Sequence, residues 1–278
     1  MVIESTSNQK YKYISKLKNK KYRDIENSFI VESKKLVEEA ISSADVDFIF
    51  LSENNVSYKT DIDKIVLSET LFNKLSSFKN PDGFGAVVKK KEAKDIRSSR
   101  VLLLDHLNDP GNMGTIIRSA EAFGFKDIII TAGTVDIYNE KTLRASMGSI
   151  FRLNIKETSI DEISILKKSY KIVAADMGGY DINKYEIIED LILAIGNEAN
   201  GLSEEVRNIT DSFVKIPMQG EIESLNAAIA ASILMNKLSL WFGKSSFNIT
   251  ARKGWWEPFT LSLIFTDEAW YEISSWYV

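Results

Sequence analysis

The residues able to do chemistry in this chain fall in three short loops. The first, 109–118 (DPGNMGTIIR), bends through Pro110, Gly111 and Gly114 into the start of a helix, a natural place for an anion. Asn112 offers an amide there, and Arg118 a guanidinium two turns on. The second, 193–202 (LAIGNEANGL), sets Glu198 just past the end of an apolar run, with Gly196 and Gly201 allowing close backbone approach to a ligand. The third, 216–226 (IPMQGEIESLN), leads into an apolar helix with Ser224 and Asn226 at its N-terminus. Each loop also has a plain reading. Asn112, Ser224 and Asn226 are all good helix N-caps. Arg118 is equally a solvated helix residue, and 196–201 a glycine-rich turn with a surface carboxylate.

Other chemistries are excluded by composition. The chain has no cysteine and one histidine, His106. Disulfides, thiolate zinc sites, cysteine nucleophiles and multi-histidine metal sites are therefore absent. The second loop is not a G-x-G-x-x-G fingerprint and lies late in the chain, which argues against a dinucleotide oxidoreductase. No run of 18 apolar residues indicates a membrane span, and the polar, basic N-terminus has no signal-peptide core. A cytoplasmic location is expected.

The elements that must position these loops follow from periodicity. From 101 onward, apolar runs at 101–105, 127–131, 149–155, 171–176, 191–196 and 212–217 alternate with helical stretches, among them 113–123, 161–169 and 203–209. This predicts a mostly parallel α/β sheet, whose ligands bind at the carboxyl ends of the strands. The segments to watch are 105–112, 176–179, 196–201 and 217–226. A last helix at 224–241 is apolar nearly all round, so it is buried on more than one side. Upstream, helices at 8–21 and 33–43, strands at 46–51 and 64–67, a short helix capped by Ser68 and a strand at 84–90 form a smaller α/β unit. Polar residues 90–100 read as a linker.

The net charge of −4 conceals an asymmetry. Residues 1–95 carry 17 basic and 15 acidic side chains; the remainder carry 18 and 24. Lys10, Lys12, Lys16, Lys18, Lys20, Lys21 and Arg23 stand against Glu4 alone in the first 23 residues, interleaved with Tyr11, Tyr13 and Tyr22. Such an arm suits a phosphate backbone with unstacked bases; a solvated lysine-rich helix face is the alternative. All five tryptophans fall at 241 or later, where the composition shifts.

The three loops together, in this order and spacing, resemble the motifs of the SpoU/TrmH class of SPOUT RNA ribose 2′-O-methyltransferases. The motifs read N-x-G-x-x-x-R (Asn112, Gly114, Arg118), G-N-E-x-x-G-L (196–202) and I-P-M-x-G-x-x-x-S-L-N (216–226), and 144–149 (RASMGS) is similar as well. The N-terminal part resembles the L30e-like substrate-binding domain often fused to these enzymes, through Ser7, Asn8, the stretch 17–23 and 29–32 (FIVE); Ser33 replaces the usual following glycine. The resemblance implies an L30e-like domain at 1–95 and a SPOUT methyltransferase domain at 96–242 with a C-terminal trefoil knot. The tail 243–278 has no assigned role.

The resemblance further implies S-adenosylmethionine as cofactor, an RNA substrate with ribosomal favoured over transfer RNA, and a homodimer packed through the helix at 224–241. Membrane and metal have no part in it. Asn112, Arg118, Glu198, Ser224 and Asn226 are the implied catalytic set. Ile195, Gly196, Asn197, Gly201, Ile216, Met218, Ser224 and Leu225 are implied to hold the cofactor. RNA is expected on Lys16, Lys18, Lys20, Lys21, Arg23 and Arg118. A non-catalytic RNA-binding protein on the same scaffold is the competing reading.

Overall fold

The computed structural model describes residues 2–186, 189–220 and 224–239. The tail 243–278, with its tryptophans, and the end of the helix expected to reach 241 lie outside the described residues.

Residues 2–89 contain a mixed five-stranded sheet with the order β1-β4-β3-β5-β2, from β1 (Val2–Ile3), β2 (Ser28–Glu32), β3 (Val46–Ser52), β4 (Lys64–Leu67) and β5 (Phe84–Lys89). The helix expected over 8–21 is two helices, α1 (Gln9–Lys16) and α2 (Lys20–Ile25). Asn8 caps the first. Asn19 caps the second by accepting from the Lys21 amide at 2.9 Å, so a polar cap inside the run interrupts it. Helices α3 (Lys34–Ser43) and α4 (Glu69–Leu75) start at Ser33 and Ser68, each of which caps with its own hydroxyl.

The second sheet has six strands, all parallel, in the order β11-β9-β10-β6-β7-β8. They are β6 (Arg100–Leu104), β7 (Asp127–Ile130), β8 (Asn154–Glu157), β9 (Lys171–Asp181), β10 (Leu191–Ile195) and β11 (Ser212–Lys215). Because every pairing is parallel, all six carboxyl ends lie along one edge, and the three motif loops leave from that edge. The central strands β6 and β10 are buried throughout, as their unbroken apolar runs require. Around them pack α5 (Pro110–Ala122), α6 (Glu140–Ser146), α7 (Ser149–Arg152), α8 (Ile160–Leu166), α9 (Glu204–Ile209) and α10 (Ala227–Leu238). The strand expected at 149–155 is corrected. Gly148, at φ 90°, turns the chain into the single helical turn α7, and only 154–157 is extended. No helix among the described residues is long and apolar enough to cross a membrane.

The two sheets share one apolar core. Phe29 of β2 meets Tyr138 at 4.5 Å and Phe151 of α7 at 6.4 Å between ring centroids. Arg152 reaches both Glu39 of α3 and Glu121 of α5. The linker is fixed as well: buried Asp127 accepts from the amides of Arg97 and Ser98, and from the side chain of Asn154. Burial alone would raise the Asp127 carboxyl, but these hydrogen bonds outweigh it and hold it below the usual carboxylate range.

Arg23, expected on RNA, is part of this junction. It is 6% exposed; its guanidinium donates to the carbonyls of Leu17 and Lys18 and pairs with Asp136 at 2.5 Å. A buried arginine with three acceptors is not available to a phosphate, and Arg23 leaves the RNA-binding set.

Candidate active site

The N-terminus of α5 is built by Asp109 rather than Asn112. The Asp109 carboxylate accepts from the Asn112 amide at 2.7 Å and pairs with Lys141 at 3.0 Å, and Pro110 occupies the first turn, where its missing N–H costs nothing. These contacts, the amide hydrogen bond first, hold the Asp109 carboxyl below its ordinary value. With the cap supplied by Asp109, the Asn112 side chain is left for other partners. Gly114 is needed for packing: a methyl there would strike the Thr142 carbonyl and Ala145, so α5 and α6 meet at backbone distance.

Asn112 joins the three loops. Its Nδ2 donates to Glu198 Oε1 at 2.9 Å, and its Oδ1 accepts from Asn226 Nδ2 at 3.0 Å. The two bonds fix which way the amide faces. Asn226 serves in two ways, because its own Oδ1 caps α10 through the amides of Ala228 and Ile229. That cap places the start of α10 three residues later than expected. The result is a solvent-exposed polar chain, Glu198–Asn112–Asn226, lying across the carboxyl edge of the sheet. Ser224 is exposed two residues before Asn226. Arg118 is exposed on α5 and, among the described residues, makes no hydrogen bond or ion pair. It is not joined to the Asn112 chain.

The second loop is tighter than a ligand-approach role requires. Gly201, at φ 69°, and Asn197 exchange both backbone hydrogen bonds, and Asn197 Oδ1 accepts from the amides of Ala199 and Asn200. A methyl on Gly196 would collide with the backbone of Gly201 and Leu202. Both glycines are thus required by the hairpin that presents Glu198.

Beside this chain lies a mostly apolar cleft lined by Ala175, Val214, Ile216, Met218, Leu225 and Leu234, with Asp176 and Ser224 at its polar margin. Of the expected cofactor residues, Ile216, Met218, Ser224 and Leu225 face it. Ile195, Gly196, Asn197 and Gly201 do not line it and belong to the neighbouring strand end and hairpin. The strand end expected at 176–179 is corrected: β9 continues to Asp181, with its pairing to β11 shifting register between Phe213 and Val214. In the structure Ala175 and Met177 form a wall, and Asp176 is held by Arg207 and by the Gly178 amide.

A further residue escaped the sequence reading. Asp105, which ends the apolar run of β6, is fully buried. It accepts from Thr131 Oγ1 at 2.9 Å, His106 Nδ1 at 2.8 Å and the Ser203 amide at 2.7 Å. Burial would raise its carboxyl, yet these donors hold it below its usual value. One carboxylate thereby ties together the loops that follow β6, β7 and β10. The available signal was an acid closing a run of buried aliphatics.

The chain is similar to known proteins along most of its length. Residues 99–236 match the family model described as the SpoU rRNA Methylase family, and residues 8–86 the MRM3-like substrate binding domain. The chain is 34% identical over 245 residues to the 23S rRNA (guanosine(2553)-2′-O)-methyltransferase RlmP of Bacillus subtilis, a match covering 85% of this chain and 98% of that protein. Among solved structures, the SpoU methyltransferase AviRb of Streptomyces viridochromogenes in complex with AdoMet superposes with a TM-score of 0.78 at 25% identity, over 86% of this chain and 100% of that one. The AdoMet-bound rRNA methyltransferase of Sinorhizobium meliloti gives 0.75 at 26%, over 86% and 97%. With a family-model match over 99–236 and a relative 34% identical along 98% of its own length, the chain belongs to the SpoU rRNA methylase family.

Proposed function

We propose that this protein transfers a methyl group from S-adenosylmethionine to a ribose 2′-hydroxyl of 23S ribosomal RNA. The observation that carries the reading is the Glu198–Asn112–Asn226 chain at the strand ends, beside an apolar cleft. The cleft suits the cofactor: its aliphatic walls fit an adenosyl group. Ile216, Met218, Ser224 and Leu225 would hold it, with Ile195, Gly196, Asn197 and Gly201 shaping the adjoining wall. Bound there, the cofactor supplies a methyl already activated by its sulfonium charge.

The chain's own residues orient the acceptor. Asn112, locked between Glu198 and Asn226, presents its second amide hydrogen to the ribose, and Glu198 keeps a carboxylate oxygen for a hydroxyl donor. Ser224 completes the same wall. Arg118 stays charged, since a guanidinium does not deprotonate in proteins. Its role is to grip the RNA phosphate as a fork and to stabilise the developing alkoxide, while the proton leaves to a phosphate oxygen or water. Isothermal titration with S-adenosylmethionine or its demethylated product is expected to show one site per chain. No heat at millimolar ligand would refute the assignment.

We further infer a division of labour in which residues 1–95 gather RNA and 96–242 do the chemistry, in the cytoplasm, on a C-terminal domain carrying the family's trefoil knot. Lys16, Lys18, Lys20 and Lys21 are exposed, but unequally free. Lys20 shares Asp24 with Lys90, at 2.7 and 2.6 Å, and Lys18 lies 3.9 Å from Glu140. Replacing all four by alanine is expected to weaken RNA binding and lower the log–log salt slope by about 0.7 for each phosphate no longer neutralised. Lys16 and Lys21 are expected to account for most of it. An unchanged slope would leave these lysines as solvated helix residues.

A homodimer through α10 completes the proposal. The helix buries Ala227, Ala231, Leu234 and Leu238 inward, yet Ile229 is 54% exposed beside Asn226. Sedimentation is expected to give a dimer at micromolar concentration; a monomer there would contradict the interface.

A further inference from the structure

We propose that a second cleft, at the carboxyl ends of β6, β7, β8 and β10, takes a nucleobase of the RNA substrate stacked on His106. The inference rests on the RNA-modifying reading above. The cleft has a volume of about 630 Å³ and shares no lining residue with the apolar cleft; Asn197 and Gly201 of the hairpin line it and stand between the two. That size falls within the range of roughly 300–1,000 Å³ usual for ligand pockets. It also occupies the crevice of this parallel sheet. From β6 the chain moves outward to β7 and β8, then returns to build β9 and β10 on the other side, and open α/β sheets bind nucleotides at such a reversal.

The lining decides what fits. Asn108, Thr131, Thr158, Ser159 and Asn200 offer amides and hydroxyls, which donate and accept as base edges do. No lysine or arginine lines the cleft, and Glu205 does. A phosphate would meet a carboxylate with no compensating cation, whereas a neutral base meets only complementary groups and an aromatic ring.

The ring is held ready at a cost in backbone strain. His106 has φ 53°, in the left-handed region that favours glycine. Its Nδ1–H donates to the fully buried Asp105, its amide donates to Thr131 Oγ1, and its carbonyl accepts from Asn197 Nδ2 at 2.8 Å. The side chain nevertheless remains 52% exposed. Gly133 lies against the ring edge, where a Cβ would stand 3.1 Å from Cδ2. Two backbone hydrogen bonds hold the residue and a third, from Nδ1, anchors a ring that still faces solvent, which is what a stacking platform needs. The loops after β6 and β10 that form this cleft also carry Asn112 and Glu198, so a base seated here would fix the register of the strand entering the active site.

Because His106 is the only histidine, its imidazole Cε1–H resonance can be followed in the full-length protein without assignment. Titration with a mixed-sequence single-stranded oligoribonucleotide is expected to move it upfield to saturation. Heparin, a polyanion without bases, and S-adenosylmethionine are expected to leave it nearly unmoved. In methyl transfer to a 23S rRNA transcript, His106→Gly, which relieves the backbone strain, is expected to raise the RNA KM roughly tenfold with kcat little changed. His106→Phe should recover most of that loss, since a phenyl ring also stacks. A resonance indifferent to RNA, an equal response to heparin, a response to S-adenosylmethionine instead, or an unchanged KM in His106→Gly would each overturn the proposal. A wild-type protein that binds RNA through His106 but transfers no methyl would instead count against the catalytic reading.

Discussion

Arg118→Ala is expected to lower methyl transfer by about 10²- to 10³-fold, the loss typical of removing one preorganised donor from a developing oxyanion, while S-adenosylmethionine affinity stays within about twofold. Arg118 projects from α5 two turns beyond Asn112, exposed and without a protein partner among the described residues. An arginine in that state contributes little to the fold, so its removal should leave stability almost unchanged. Arg118→Lys is expected to be nearly as poor, because a point charge cannot reproduce a planar two-point grip on phosphate. Single-turnover transfer at saturating cofactor, beside a cofactor titration, separates the two quantities. Most of the activity surviving in Arg118→Ala would remove it from the catalytic set.

Gly196→Ala is expected to weaken cofactor binding by roughly 10- to 100-fold, equivalent to about 1.4–2.8 kcal/mol. The added methyl would overlap the backbone of Gly201 and Leu202, and no side-chain rotation can relieve a clash with main chain. The Asn197–Gly201 hairpin must then open, moving Glu198 away from Asn112 and releasing Asn197 from the His106 carbonyl. The change is local, since Gly196 follows a strand whose own pairings to β6 and β9 end at 195 and 194. Circular dichroism should therefore report an unchanged fold while calorimetry reports the weakened affinity. Wild-type affinity in Gly196→Ala would mean that the hairpin has no part in holding the cofactor.

What the sequence made legible follows from where its signals are strongest. Unbroken apolar runs of four or five residues such as 101–104 and 191–195 fit central strands of a sheet covered on both faces, and that is what they are. The run 149–155 misled because Ile150, Phe151 and Leu153 are equally apolar in either state; the left-handed Gly148 decided for a helical turn. Local polar residues also overrode periodicity. Asn19 split one helix into two, and Asp109 took the cap that Asn112 was equally suited to fill.

Side-chain partnerships across distant segments were the least legible. Motif order placed Asn112, Glu198 and Asn226 on one edge, but not the hydrogen bonds that make a single chain of them. Arg23 looked like the end of a basic arm, because the acid that buries it, Asp136, lies 113 residues away. Asp105 was hidden for the same reason: its three donors come from three different loops.

The most direct test of the account is transfer of a labelled methyl group from S-adenosylmethionine to an unmodified 23S rRNA transcript by the full-length protein, followed by alkaline hydrolysis. A 2′-O-methyl blocks cleavage at its own nucleotide, so the account predicts that the label is recovered in an alkali-resistant dinucleotide at a single position, and that Asn112→Ala abolishes it. Label on a base, or no transfer by a protein that binds the cofactor, would contradict it.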